Sequence, residues 1–389
     1  MKTLKEINFN DFVKLKRGYD LPNDKIVDGK YPVVASTSIK AFHKEYKVLP
    51  PSVVTGRSGS LGEVQFIDMP CWPLNTALYV KNFNKNNPKY VYYFLKMIHL
   101  ENFNSGAGVP TLNQNHLHKL KIKVHSEKEQ QQIAEILSAY DDLIETNNQR
   151  IATLEQLAQQ IYKEWFVRMR FPGWETTPFH HGIPDAWEVK SIGEICSKVT
   201  DGSHFSPAFV PDGKPMASVK DMENYGVSLE GIKTISEQDF ENLKKSDCLP
   251  KIGDVLIAKD GSYLKHVFVW NSDIEVVILS SIAILRPHLN ESSYYLALTL
   301  KQDSTKSMMS CYVSGAALPR IILDAFKKMK ILMPDPILLS TFDTIIQPIY
   351  EQIKVLIEQN EALTKTRNLL LPRLISGKLT IKQAEALAT

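Results

Sequence analysis

Apolar residues recur at alternating spacings of four and three along the run from Glu127 to Phe166, which contains neither Gly nor Pro. The series is Ile133, Leu137, Tyr140, Ile144, Asn147, Ile151, Leu154, Ala158, Ile161 and Trp165. A mean period of about 3.5 residues is the seam of a coiled coil, here with one polar residue in it. The run therefore predicts one long helix.

A second series near the C-terminus repeats the first at positions 209 residues later. Its members are Phe342, Ile346, Ile349, Ile353, Leu356, Asn360, Leu363, Arg367, Leu370 and Leu374. We expect Pro372 to end or kink this helix. If the two helices pair antiparallel, Asn147 faces Asn360, and such a polar pair fixes the register of a coiled coil.

The repeat extends upstream of both helices. Ser105-Gly106-Ala107 matches Ser314-Gly315-Ala316 at the same offset of 209. Val53–Ser60 resembles Val255–Ser262 at an offset of 202, and Gly29–Ser36 resembles the segment from Gly213 at an offset of about 184. A period near 200 residues is too long for a solenoid, so it indicates a duplicated domain that carries its own helix.

Each domain mixes short β-branched and aromatic runs with turn residues and one helical stretch, at 88–98 and at 291–301. This predicts an α+β fold. The segment Phe171 to Ile195 is rich in Pro, Gly and Trp, and its first part reads as a linker. His180-His181 lacks further spaced ligands, which favours a solvated loop over a metal site.

Composition is that of an ordinary globular protein, with 43% hydrophobic and 23% charged residues. No apolar run approaches the roughly 20 residues of a membrane span, and the N-terminus lacks a signal-peptide core, so we expect a cytoplasmic protein without membrane contact. The four cysteines form no CxxC pair, which argues against zinc and a disulfide framework.

Charge is unevenly distributed. Residues 1–126 hold 18 Lys and Arg against 9 Asp and Glu, whereas residues 180–333 hold 17 against 19. A strongly basic first domain suggests a polyanionic partner, although an unremarkable basic surface remains an alternative.

The sequence contains no strong motif for catalysis or nucleotide binding. The chain has no GxxxxGK[ST] loop for ATP and no Asn/Asp-Pro-Pro-aromatic loop for an amine methyltransferase. Pro184-Asp185 followed by Asp212-Gly213-Lys214 loosely matches a metal-nuclease pattern, which keeps a nuclease with its own metal site as an alternative. A coiled-coil adaptor without sequence readout is a second alternative.

Glycine-rich loops with a basic residue recur at equivalent places in both copies. Small residues let the backbone approach a ligand, Ser donates to phosphate, and Arg or Lys reaches guanine. A hairpin turn is the alternative for each loop. The candidate DNA-binding residues are Lys16, Arg17, Tyr19, Thr55, Arg57, Ser58, Ser60, Ser105, Thr200, Asp201, Ser203, His204, Lys259, Ser262, Lys265 and Ser314.

The whole chain resembles the specificity subunit of type I restriction-modification systems. The resemblance is carried by IYKEWF (161–166), IPDAWEVKSIGEI (183–195), TDGSH (200–204) and LLLPRLISGKL (369–379). It implies two target-recognition domains in tandem, each followed by a long helix, the helices pairing as an antiparallel coiled coil with pseudo-two-fold symmetry. The expected boundaries are 1–126 and 191–335 for the domains, 127–170 and 336–378 for the helices, 171–190 for a linker and 379–389 for a tail.

The resemblance also implies a function. Each domain would read one half of a bipartite double-stranded DNA target, with the helices as spacer and as docking site for two modification subunits. Restriction subunits would join through the complex. The chain itself would be non-catalytic, and S-adenosylmethionine, ATP and Mg would be bound by partner subunits.

Overall fold

A computed structural model describes residues 4–106, 108–260, 265–310, 313–314 and 320–388. The chain divides into two compact units, Met1–Asn148 with Ile357–Thr389 and Gln149–Leu356. Each unit contains a part of both long helices. The fold is α+β, with separate small sheets in each unit. In the described residues, no helix is both long and apolar enough to cross a membrane.

The first unit begins with an alternation of short strands and helices. Its strands are β1 (Lys5–Asn8), β2 (Lys14–Arg17), β3 (Tyr31–Val34), β4 (Ile39–His43), β5 (Ser52–Gly56), β6 (Val64–Ile67), β7 (Trp72–Pro73), β8 (Ala77–Asn82) and β9 (Lys121–Val124). Its first helices are α1 (Phe9–Phe12), α2 (Pro88–Met97) and α3 (Gln114–His118), followed by the start of α4 (Glu127–Tyr162). Asn87 caps α2 by accepting from the Tyr90 amide, and Pro88 occupies the first turn, where it costs no hydrogen bond.

The second unit repeats this succession with additional strands and helices. Its strands are β10 (Phe179–His180), β11 (Ile183–Pro184), β12 (Glu188–Ser191), β13 (Cys196–Asp201), β14 (Phe209–Ala217), β15 (Lys233–Ile235), β16 (Val255–Ala258), β17 (Val267–Val269), β18 (Val277–Ile278), β19 (Ile282–Pro287), β20 (Val313–Ser314), β21 (Arg320–Ile321) and β22 (Lys330–Met333). Its helices are α5 (Ile192–Ile195), α6 (Glu237–Lys245), α7 (Ser293–Lys301), α8 (Asp303–Ser310), α9 (Leu323–Lys328) and the start of α10 (Pro336–Ile375). A last helix, α11 (Ile381–Ala388), belongs to the first unit.

The four-stranded and three-stranded sheets have the same topology in the two units. The four-stranded sheets have the order β2-β8-β5-β6 and β13-β19-β16-β17, and the three-stranded sheets have the order β4-β3-β7 and β15-β14-β18. In both three-stranded sheets one pair is antiparallel and the other parallel. Two-stranded antiparallel sheets, β1-β9 and β12-β22, lie next to the long helices in the chain. The domain duplication predicted from the sequence is therefore present in the strand pairing.

The core of the first unit joins its domain to its helices. Phe9, Phe12, Tyr90 and Leu95 pack with α4 residues such as Ile133, together with the C-terminal group Leu370, Leu374, Ile375 and Ala384. The predicted seam positions of α4 and α10 are all buried or half-buried. Asn147 donates through Nδ2 to Asn360 Oδ1 at 3.0 Å in this unit. In the second unit, the rings of Trp165 and Phe342 lie 5.6 Å apart.

The structure differs from the predicted helix boundaries in three places. Helix α4 ends at Tyr162 and gives way to a π-helical turn, Lys163–Val167, which allows both Trp165 and Phe166 to be buried. Pro372 does not end α10, which continues to Ile375 because burial of Leu374 and Ile375 offsets the hydrogen bond that proline cannot make. The expected tail contains α11.

Local sequence explains the start of α11. Thr380 and Gln383 form a capping box at the start of α11, because the Thr380 hydroxyl accepts from the Gln383 amide and Gln383 Oε1 accepts from the Thr380 amide.

The predicted linker, 171–190, holds the β10-β11 hairpin and the start of β12. Trp187 is buried there and packs on Phe166 and Phe171.

Candidate nucleic-acid interface

Four segments of the first unit meet at the ends of β2 and β5. The Gly18 amide donates to Ala77 O at 3.0 Å, and the Tyr19 amide donates to Pro73 O at 2.8 Å. Arg57 connects the hairpin after β5 to two other segments. Its amide donates to Thr76 O at 2.8 Å, and its carbonyl accepts from the Leu112 amide at 2.8 Å. These four hydrogen bonds form what we call the loop frame.

The second unit builds the same loop frame from different residues. Its four bonds run from Gly202 N to Ile282 O (3.2 Å), from Ser203 N to Ile278 O (2.9 Å), from Lys259 N to Ser281 O (2.9 Å) and from Ile321 N to Lys259 O (3.2 Å). Arg17 therefore corresponds to Asp201, Tyr19 to Ser203 and Arg57 to Lys259. A Cβ at Gly18 or Gly202 would overlap the carbonyl oxygen of Leu74 or Ile278, which explains glycine at this bend in both copies.

Basic side chains of the first frame face solvent in part. Arg17 is exposed and lies 3.6 Å from the Asp20 carboxylate. Arg57 is half-buried, and its NH1 donates to the Asn75 carbonyl at 3.2 Å, which leaves other guanidinium donors for a ligand. Lys16 is exposed, with Nζ 5.5 Å from the centre of the Tyr19 ring.

The uncharged residues of the first unit that were predicted to contact DNA differ in their surroundings. The Thr55 hydroxyl is buried and donates to Glu63 O at 2.7 Å, so it stabilises the hairpin. This differs from the prediction that Thr55 contacts DNA. Tyr19 stacks on Tyr79, and the two hydroxyls lie 3.0 Å apart. Ser58, Ser60 and Ser105 line the loops, where Ser58 pairs with Thr111 in an isolated bridge and Ser105 donates to Thr111 O at 3.0 Å.

In the second unit the charges of the frame are arranged differently. Lys259 and Asp201 form a buried ion pair, with 5% and 7% of their side-chain surfaces exposed. This placement differs from the prediction that Lys259 contacts DNA, because the ammonium can reach a ligand only by leaving a buried carboxylate unpaired. His204 is exposed, and its Nε2 lies 3.2 Å from Asp201 Oδ1.

The remaining candidates of the second unit have mixed positions. Ser203 is buried, and its hydroxyl donates to Phe205 O at 2.7 Å, whereas Thr200 is half-buried. Lys265 is exposed and lines a cavity of about 190 Å³ with Lys301, Lys306 and Glu155. Ser314 lies in β20, which pairs with β21, and Ser262 lies outside the described residues.

Burial keeps nearby ionisable groups in their neutral forms. Desolvation raises the pKa of the Cys71 thiol to about 11 and that of the Cys196 thiol to about 12. Desolvation by burial, followed by the charge of Lys14, lowers the pKa of His118. These shifts follow from packing and mark no nucleophile or acid-base pair.

The two aspartates of the metal-nuclease pattern lie in different segments of the second unit. Asp212 lies in β14 with a left-handed backbone, φ 56°, and Asp185 follows β11. Among the described residues, no group of three or more His, Cys, Asp or Glu side chains has the arrangement of a metal site.

Sequence reasoning missed Asp20, which occupies the position of His204 in the other copy. The signal was available, since the offset of 184 between Gly29 and Gly213 also aligns Arg17-Gly18-Tyr19-Asp20 with Asp201-Gly202-Ser203-His204. It also missed Ser36, whose buried hydroxyl lies 2.8 Å from Thr76 O and 3.1 Å from Ser58 O and donates its one proton between these two carbonyls.

Comparison with known proteins defines the class. The family model of the type I restriction modification DNA specificity domain matches residues 1–156 and 184–368. The chain belongs to this family, whose members recognise DNA. Within that class it is a specificity subunit of a type I restriction-modification system.

Individual relatives agree with this assignment. The chain is 28% identical over 313 residues to the MjaIX specificity subunit of Methanocaldococcus jannaschii, covering 76% of this chain and 70% of the relative. It is 23% identical over 400 residues to the MjaVIII specificity subunit of the same organism, covering 97% and 93%. The crystal structure of the S subunit from M. genitalium shares the fold, with a TM-score of 0.62 at 17% identity over 96% of this chain and 97% of that one.

Proposed function

We propose that this chain is the sequence-specific recognition subunit in which each domain reads one half of a bipartite double-stranded DNA target. The observation that carries the proposal is the loop frame, which is built twice from equivalent hydrogen bonds and carries different exposed side chains in the two copies. One backbone architecture with two sets of side chains suits two half-sites of different sequence. Unspecified bases separate these half-sites.

The first frame has the chemistry of a base reader. Arg57 has one guanidinium nitrogen held by the Asn75 carbonyl, and this bond orients the remaining donors. An oriented guanidinium donates to O6 and N7 of guanine in the major groove, and one good bidentate contact discriminates by about 1–3 kcal/mol. Arg17 and Lys16 add positive charge toward phosphates.

We further propose that α4 and α10 pair as an antiparallel coiled coil with pseudo-two-fold symmetry and serve as the spacer between half-sites. Two contacts support this register. The hydrogen-bonded pair Asn147 and Asn360 and the ring pair Trp165 and Phe342 have residue numbers with the same sum, 507, as a single antiparallel register requires. Asn147 and Asn360 would then fix the register.

Partner subunits complete the activity in this proposal. Leu143 and Leu369 of the first unit and Leu157 and Ile345 of the second are exposed on the long helices, where two modification subunits would dock. Restriction subunits join through that complex. The chain itself is non-catalytic, and S-adenosylmethionine, ATP and Mg²⁺ are bound by its partners.

The test is DNA selection by this chain co-expressed with its modification subunit, using a randomised duplex pool with S-adenosylmethionine present. We expect enrichment of two short fixed blocks separated by a constant gap. A stable complex that enriches no sequence would refute sequence readout and favour the adaptor alternative. A single block would refute the bipartite arrangement.

Arg57→Ala tests the first frame within the same experiment. We expect loss of preference at one base of one block, by about 5- to 150-fold, which corresponds to 1–3 kcal/mol. Lys5→Ala is the matched control, because Lys5 is an exposed cation in the separate β1-β9 sheet. A loss that is equal for all sequences would identify Arg57 as a phosphate contact.

A further inference from the structure

Each loop frame is followed by a polar side chain, Asp20 in the first unit and His204 in the second, which we call the tip and which lies close to a charged residue three positions earlier. In the first unit, Arg17 lies 3.6 Å from Asp20, three residues later. In the second unit, Asp201 lies 3.2 Å from His204, again three residues later. The Asp20 and His204 side chains are 73% and 74% exposed, so the two tips are presented to solvent to the same extent.

The His204 ring has a defined orientation. Asp201 accepts from Lys259 through Oδ2, and this buried pair holds the carboxylate in place. A carboxylate can only accept a hydrogen bond, so the His204 Nε2 that contacts Oδ1 carries the proton. The other ring nitrogen, Nδ1, makes no hydrogen bond to the residues that the structure describes. In the neutral ring this nitrogen is an acceptor.

Asp20 is oriented in the same way by different groups. Its Oδ1 accepts from Asn75 Nδ2 and faces Arg17. Its Oδ2 has no hydrogen-bond partner in the described part of the chain. Asp20 therefore also presents one unoccupied acceptor.

The backbone below both tips is well supported. Glycine packs against a carbonyl at the bend in each copy, as described for the loop frame. In the second unit the Ser203 hydroxyl additionally accepts from the Phe205 amide at 3.1 Å, which closes the turn around His204. A side chain on a fixed turn loses little conformational entropy when it binds a ligand.

We propose that Asp20 and His204 are equivalent specificity-determining residues, each offering one hydrogen-bond acceptor to the exocyclic amino group of a cytosine or an adenine in the major groove. Asn75, which donates to Asp20, and Asp201, which accepts from His204, are positioning residues that act through them. This inference rests on the proposed bipartite function. Cytosine N4 and adenine N6 are the donors that the major groove presents, and an exposed carboxylate next to a polyanion is unfavourable unless it meets such a donor.

The experiment uses the complex with the modification subunit and the same randomised duplex pool. Asp20→Ala should remove preference at one base pair of one block, and His204→Ala at one base pair of the other, each by about 5- to 150-fold. The unaffected block is the internal control in each case. His204→Lys, which has donors only, should change the preferred base at that same position to guanine.

A second pair of variants tests positioning by Asp201. Both carry Lys259→Met, which removes the buried ammonium, combined with either Asp201→Asn or Asp201→Ala. The Asn variant keeps an acceptor for His204 Nε2 and should retain the preference at the His204 base. The Ala variant should lose it, with no further loss when His204→Ala is added.

The outcomes separate this inference from the function on which it rests. If the complex that contains the chain without substitutions enriches no two-block sequence, the proposed bipartite function is wrong. If two blocks appear but Asp20→Ala and His204→Ala leave both unchanged, the assignment of the tips is wrong. A weakening that is uniform over all sequences would also overturn it, because it would mark contacts to phosphate.

Discussion

Removal of Lys259 alone should strongly destabilise the second unit. The Asp201 carboxylate would keep its buried position, with 7% of its side chain exposed, but lose the cation that compensates it. Breaking a buried ion pair from one side costs about 3–5 kcal/mol, because an uncompensated charge remains in the interior. We therefore expect Lys259→Met to lower the unfolding free energy of this unit by that amount.

The double variant Lys259→Met with Asp201→Asn separates charge burial from packing. It removes both charges, so we expect it to recover at least about 2 kcal/mol of the loss. Arg57→Ala is the matched control, since Arg57 occupies the same place in the first frame but is half-buried without a carboxylate partner among the described residues. Its effect on stability should stay within about 0.5 kcal/mol, as for most surface substitutions.

Urea unfolding followed by tryptophan fluorescence can report on one unit. Trp72 lies in the first unit, whereas Trp165, Trp174, Trp187 and Trp270 lie in the second. A Trp72→Phe background thus restricts the signal to the unit that contains Lys259. If Lys259→Met costs less than about 1 kcal/mol, or if the double variant is no more stable than the single one, the buried pair does not hold the second frame as we describe.

Three further changes should have distinct effects. Replacing Asn147 and Asn360 together by Leu should raise stability, while disulfide crosslinking between cysteines placed along the helices should detect more than one register; a single retained register would refute the role of the pair. Gly202→Ala should cost about 2 kcal/mol in the same urea assay because its Cβ would overlap Ile278 O, whereas Gly226→Ala, with open space around it, should cost almost nothing; equal effects would exclude the clash. Burial and the charge of Glu291 raise the pKa of Asp343 to about 6 from 3.8. The contribution of protonated Asp343 to the free energy of unfolding is therefore complete below pH 3.8 and is lost as the pH rises through 6. Asp343→Asn should therefore stabilise the chain at pH 8, by about 1 kcal/mol after allowance for its partial exposure, and less at pH 5; a gain independent of pH would contradict this.

Local sequence patterns predict much of the architecture. The four-three alternation on the two long runs and their constant offset of 209 predict two helices and a duplication without any knowledge of contacts. Helix termini were less predictable. The π-helical turn after Tyr162 and the continuation of α10 past Pro372 depend on which side chains the tertiary fold buries, such as Trp165 and Leu374.

The sequence by itself determined which positions are candidates for recognition, because glycine at a tight bend and a repeated motif are local features. It could not decide what the side chains at those positions do. Arg57 and Lys259 are similar residues at equivalent places, yet one faces solvent in part and the other is buried against Asp201. That difference arises because Asp201, 58 residues away in sequence, stands where the first unit has Arg17, and only the paired strands bring these residues together.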